Sequence, residues 1–80
     1  MDRNAPERRY RDLVRLLPLG PEEIADESPR ARRRVLALLR RALRAERCRG
    51  LAGHWSYDLA RHAQLLAAYR AEVAAEGAGN

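Results

Sequence analysis

The stretch "SPRARRRVLALLRRALRAERCRG", Ser28 to Gly50, decides the fold, because an apolar stripe and an arginine stripe both run through it at helical spacing. Ser28 supplies an N-cap hydroxyl, Pro29 stands at the first helical position where its missing N–H costs nothing, and Gly50 suits a left-handed stop. A long helix is therefore predicted from Pro29 to about Arg49. Advancing about 100° per residue from Val35, the residues Ala31, Val35, Leu36, Leu38, Leu39, Ala42 and Leu43 gather on one side, the predicted core face. Arg30, Arg33, Arg34, Arg40, Arg41, Arg44 and Arg47 fall on the opposite side. Arg32 and Glu46 lie at the margin of the core face.

Working outward, proline and glycine punctuate the rest of the chain. A first helix is predicted from about Pro6 to Leu17, with Tyr10, Leu13, Val14 and Leu17 at core spacing, and Pro18 stops it. Pro21 to Asp26 reads as a short helical turn whose acids, Glu22 and Glu23, suit the N-terminal dipole. A third helix is predicted from an N-cap at Ser56 to about Ala75. Trp55, Leu59, His62, Leu66, Tyr69 and Val73 form its seam, at alternating steps of four and three, and Ala60, Ala63, Ala67, Ala71 and Ala74 widen its small-residue side. The expected fold is all-α: a small three-helix bundle with a short extra helical turn between the first and second helices. It forms a single helical domain over 1–80, frayed at 1–4 and 76–80. One core of this size supplies only about 3 to 5 kcal/mol, so the seam also suits a homodimer.

The chain has 80 residues, with 16 basic and 11 acidic side chains and a formal net charge of +5. Every basic residue is arginine, and phenylalanine and threonine are absent, a bias expected of a GC-rich genome. The arginines are therefore not each chosen for their bidentate fork. Lone Cys48 forms no internal disulfide, and the segment "MDRNAPERRYR" is too charged for a secretory signal. No charge-free stretch is longer than "HAQLLAAY" from His62, which is far too short to span a bilayer. A soluble, cytoplasmic protein without membrane contact is expected.

Catalytic chemistry finds little support. Cys48, His54, Asp58 and His62 are the residues from which a metal site or thiol–imidazole pair would be built, but their spacing lacks the paired ligands zinc requires. Neither a glycine-rich phosphate loop nor a pocket for a nucleophile and its base is evident. No metal and no cofactor are expected. His62 reads as a structural histidine hydrogen-bonded to Asp58 one turn earlier. The arginine stripe is the stronger signal, because Arg30/Arg34 and Arg40/Arg44 are like-charge pairs that cost about 0.2 to 0.5 kcal/mol each. Folding back Glu22, Glu23, Asp26 and Glu27 would neutralise Arg30, Arg33 and Arg34. Those acids do not reach Arg44 and Arg47, about 20 Å further along. The candidate partner-binding residues are therefore Arg40, Arg41, Arg44 and Arg47, with Arg33, facing an acidic surface on a larger protein or nucleoprotein complex. Nucleic acid is the alternative partner. Against single-strand binding, Trp55, Tyr57 and Tyr69 are all assigned to the third helix and not interleaved with the stripe.

Three resemblances bear on function. "GPEEIADESPRARRRVLALLRRAL" resembles the helix-turn-helix of sigma-factor and response-regulator DNA-binding domains through Glu22, Glu23, Ile24, Ala25, Ser28 and Pro29. It is a degenerate form: the interval from Ile24 to Ser28 is about three residues shorter than the family's and lacks the glycine that sets the helix crossing. That resemblance implies a small arginine-rich nucleic-acid-binding regulator. Tyr57, Ala60, Arg61 and His62 resemble the Tyr-x-x-Ala-Arg-His helix of a small uncharacterised all-helical family of alphaproteobacteria. In size and in its lack of motifs the chain also resembles inhibitors carried by phages and mobile genetic elements, anti-CRISPR proteins included. This implies a non-enzymatic inhibitor or adaptor that binds a larger assembly such as a CRISPR effector complex.

Overall fold

In the computed structural model, which describes residues 5–78, the chain forms helices α1 (Ala5–Leu16), α2 (Pro21–Ala25), α3 (Pro29–Leu51) and α4 (Leu59–Ala78). No strand occurs among the described residues. The class is all-α, with one of the four helices short. Ser28 caps α3 as its position requires, its hydroxyl accepting the Ala31 N–H at 3.2 Å. Asp26 braces that cap by accepting the Ser28 N–H at 2.8 Å. The hydrogen bonds from the Ser28 backbone and then its side chain hold the Asp26 carboxyl below its usual pKa. What this brace contributes is present above the ordinary carboxylate range and is lost as pH falls through the lowered pKa.

The expected boundaries shift at three places. Helix α3 runs through Gly50 to Leu51, and the left-handed residue is Gly53, at φ +62°. Helix α4 starts at Leu59 and not after Ser56, because Asp58 is its cap: the carboxylate accepts the Arg61 N–H at 3.0 Å. At the other end Glu76 to Ala78 remain helical, whereas the fraying expected at 1–4 and 79–80 falls outside the described residues.

Leu13, Leu16, Leu17, Leu19, Ile24, Val35, Leu39 and Leu65 form the buried cluster, with Leu38, Ala42, Leu43, Ala68 and Tyr69 packed around it. The predicted core face of α3 is the observed one. The faces of the other two long helices agree only in part: Leu13 and Leu17 are buried as expected, and Tyr69 packs against the core. In α1, Leu16 is buried while Tyr10 and Val14 are exposed. In α4 the expected seam is largely outside the core: Trp55 precedes the helix and is 90% exposed, Leu59 is 71% exposed, and Val73 is also exposed. The inward stripe is instead Arg61, Leu65, Ala68 and Glu72, spaced by four, three and four. Two of its members are charged, which hides it from any search for apolar periodicity.

Those charges are what joins the helices. Glu72 is buried, and Arg9 of α1 forks onto it, Nε to Oε1 at 2.5 Å and an η-nitrogen to Oε2 at 3.3 Å. The other η-nitrogen of Arg9 donates to the Ile24 carbonyl at 3.0 Å, tying α2 to the same point. On α3, Glu46 is also buried, and its Oε1 receives Arg49 at 2.9 Å and faces Arg61 Nε at 3.4 Å. Arg61 also donates to the carbonyl of Leu16, the last residue of α1, at 3.3 Å. A cation there satisfies one of the orphan carbonyls at that helix's C-terminus. No Cα of α1 lies within 8 Å of one in α3, so these side chains, with the leucines, carry the connection.

Removing one member of a buried pair costs more than removing both, because an uncompensated charge is left behind. Arg9→Ala is expected to destabilise the fold by about 3 kcal/mol. Arg9→Met combined with Glu72→Leu should stay within about 1 kcal/mol of the parent. Urea denaturation followed by circular dichroism checks both values.

Candidate partner-binding face

The outward side of α3 carries the candidate residues, and they do not form a uniform set. Arg40 is engaged: its Nε donates to the Tyr69 hydroxyl at 3.3 Å and its guanidinium lies 5.8 Å from the centre of that ring. The hydrogen bond to Tyr69 is the main cause that raises the Arg40 pKa above its ordinary value, with Glu76 adding a smaller push. Arg40 therefore holds α3 to α4 and is less free to meet a partner than the sequence suggests. Arg41, Arg44 and Arg47 are exposed and make no ion pair or hydrogen bond among the described residues.

The N-terminal half of the stripe is neutralised less completely than its flanking acids suggest. Arg34 faces Glu23 at 3.8 Å, and Arg32 donates to the Glu27 carbonyl at 3.2 Å. Asp26 is occupied by Ser28 instead. Arg30 and Arg33 remain exposed without an ion pair among the described residues, but they border one hollow with the acids Glu23 and Asp26.

At its C-terminal end the arginine face meets a turn that the sequence reading assigned to the third helix. The His54 N–H reaches the Arg49 carbonyl at 2.9 Å and the Gly53 N–H the Gly50 carbonyl at 3.2 Å. This is a Schellman stop, with Gly53 as its left-handed residue. Beyond it, Nδ1 of His54 accepts the Ser56 N–H at 3.1 Å and lies 2.7 Å from the Ser56 hydroxyl. The Tyr57 N–H donates to the His54 carbonyl at 3.0 Å. The Tyr57 ring packs over Gly50, where an added Cβ would stand 3.0 Å from it, and its hydroxyl lies 3.0 Å from His62 Nδ1. His62 thus pairs with Tyr57, and not with Asp58, which caps α4. Gly50 serves as the seat of that ring.

This braced turn leaves its largest apolar groups in solvent. Leu51 is 85% exposed, and it follows Arg44 and Arg47 by seven and four residues, so it continues their line along α3. Trp55 carries His54 stacked at 5.5 Å and is otherwise open. The signal for this tip was in the sequence: Gly53 and Ser56 interrupt the helix pattern on either side of Trp55.

Among the described residues no group of three or more His, Cys, Asp and Glu stands together as a metal site, and Cys48 is a free, exposed thiol. No helix among them is long and apolar enough to cross a membrane. An apolar groove of about 420 Å³ between α1 and α4 is lined by Ala67, Ala68 and Ala71 and bordered by Arg9 and Glu72, whose charges already pair with each other. No protein-family model, curated protein or solved structure matches the chain.

The turn makes alanine unfavourable at two glycines for different reasons. Gly53→Ala should lower stability by about 1 kcal/mol, since φ there crowds a Cβ against the backbone. Gly50→Ala should fail to deliver the gain of about 1 kcal/mol that alanine ordinarily gives inside a helix, because the Tyr57 ring occupies its space. Chemical denaturation of both variants measures the difference.

Proposed function

We propose that this chain is a non-catalytic binding module, an inhibitor or adaptor, that docks on an acidic surface of a larger protein or nucleoprotein complex through the C-terminal half of α3. One observation carries the reading. Arg41, Arg44 and Arg47 stand exposed on one helix and unpaired among the described residues, in a molecule whose buried carboxylates, Glu46 and Glu72, both hold arginines. Uncompensated like charges on one helix face disfavour the free state slightly and favour association with an opposite charge. An inhibitor of the mobile-element kind, acting on a nucleoprotein effector by occlusion, belongs to this class.

The nucleic-acid regulator is the second reading. The degenerate helix-turn-helix would present the start of α3 to DNA, but α2 has five residues and the hollow beside Arg30 and Arg33 contains Glu23 and Asp26. Carboxylates at that position repel phosphate. This favours a protein surface over a groove.

Arg41, Arg44 and Arg47 changed together to Gln should leave thermal stability unchanged or slightly higher and abolish retention of the partner from a bacterial lysate. Nuclease treatment of the lysate should leave wild-type retention intact. Retention that survives the triple change shows that these arginines are solvated surface. Retention that disappears with nuclease, with a log–log salt slope of about −0.9 per phosphate contact, assigns the face to nucleic acid instead.

A further inference from the structure

Trp55 is the only tryptophan in the chain and is 90% exposed, yet the backbone that carries it is among the most heavily fastened parts of the molecule. A Schellman stop, the His54–Ser56 contacts, the Tyr57 ring on Gly50, the Tyr57–His62 pair and the Asp58 cap all fix the turn. None of them shields the indole, Leu51 or Leu59. A turn that leaves its apolar groups in water because it is loose would lack these restraints. This one holds them in place, so little ordering entropy remains to be lost on contact. Leu51 at the end of α3, Trp55 in the turn and Leu59 at the start of α4 put three exposed large apolar side chains at one end of the α3–α4 hairpin, and apolar exposure concentrated in this way marks interaction sites.

We propose that Leu51, Trp55 and Leu59 form a pre-organised apolar anchor that inserts into a carboxylate-rimmed apolar cleft on the partner protein engaged by Arg41, Arg44 and Arg47. The inference rests on the docking function proposed above and adds the chemistry of the partner's site. Charge and shape select a protein cleft over other anionic surfaces. Along α3, Arg47, Arg44 and Arg41 stand about 6, 10 and 15 Å from Leu51, so a flat lipid surface that takes the tip end-on meets only the nearest. A cleft wall rising beside the helix meets all three. Nucleic acid offers planar bases, which suit Trp55 but give the two leucines nothing to stack on. An exposed indole, with arginines on the helix that leads into its turn, supplies the residue types of an interface hot spot, and its apolar contact governs how long a complex lasts while the arginines govern how fast it forms.

The full chain labelled with 5-fluorotryptophan carries one fluorine reporter at Trp55. Its partner in the test is the protein that wild-type chain retains after nuclease treatment, purified. The fluorine resonance should shift on binding. Trp55→Ala should raise the dissociation rate about 30-fold and change the association rate by less than about twofold. Leu51→Ser should raise the dissociation rate less, in the same direction. The triple glutamine variant should instead slow association. Circular dichroism should show both apolar variants folded, since the groups they remove are exposed. If Trp55→Ala dissociates like the parent while the arginine variant still loses association, the anchor is wrong and the arginine docking stands. If neither variant changes the kinetics, or no protein is retained, both fail. A fluorine shift with vesicles of phosphatidylcholine and phosphatidylglycerol, or with oligothymidine, and none with the purified protein, also overturns the anchor by assigning the tip to lipid or to nucleic acid.

Discussion

Two buried carboxylates, Glu46 on α3 and Glu72 on α4, set the terms for the rest of the structure. A buried carboxylate needs cations and hydrogen bonds to replace its solvation; Glu72 receives Arg9 on both oxygens, whereas Glu46 is held through Oε1 alone, its Oε2 being buried without a hydrogen-bond partner. Arg9 reaches Glu72 from α1 and Ile24 at the same time; Arg61 reaches Glu46 from α4 and the end of α1 at the same time. Each arginine therefore joins three segments. Together they fix the rotation of α4, because only one phase of that helix presents Arg61, Leu65 and Glu72 inward.

The rotation has a functional consequence. Once α4 turns Leu65 and its charged neighbours to the core, Leu59 and Val73 turn outward, and Asp58 starts the helix late enough to leave Trp55 in a turn. The arginines then divide by role. Arg9 and Arg61 bind segments together, Arg40 rests on Tyr69, and Arg41, Arg44 and Arg47 have no ion pair among the described residues. Arg44, Arg47 and Leu51 lie along one line on α3, and Trp55 stands exposed in the turn beyond it.

What was legible in the sequence follows from which forces set each element. Helix α3 was readable almost completely, because Ser28, Pro29 and an apolar stripe from Ala31 to Leu43 act locally and agree. Its C-terminus was not: Gly50 looked like the stop, but a glycine also serves where a ring must approach, and only the position of Tyr57 distinguishes the two. The reading of helix α4 turns it the wrong way, since its inward face contains half-buried Arg61 and buried Glu72, whose placement depends on partners 45 and 63 residues away. The unpaired arginines of the candidate site were legible from charge pattern alone. The engagement of Arg40 depended on Tyr69, a tertiary contact that local spacing does not encode; the exposed tip followed from the local choice of Asp58 over Ser56 as cap.

The division of the arginines is the central claim, and side-chain NMR of the arginine Nε–Hε groups tests it in the free protein. Arg9 and Arg61 should show slow hydrogen exchange and rigid Nε–Hε vectors, while Arg41, Arg44 and Arg47 exchange rapidly and move freely. Arg9 and Arg61 signals as mobile as that of Arg47, or Arg41, Arg44 and Arg47 signals as ordered as that of Arg9, would contradict the account.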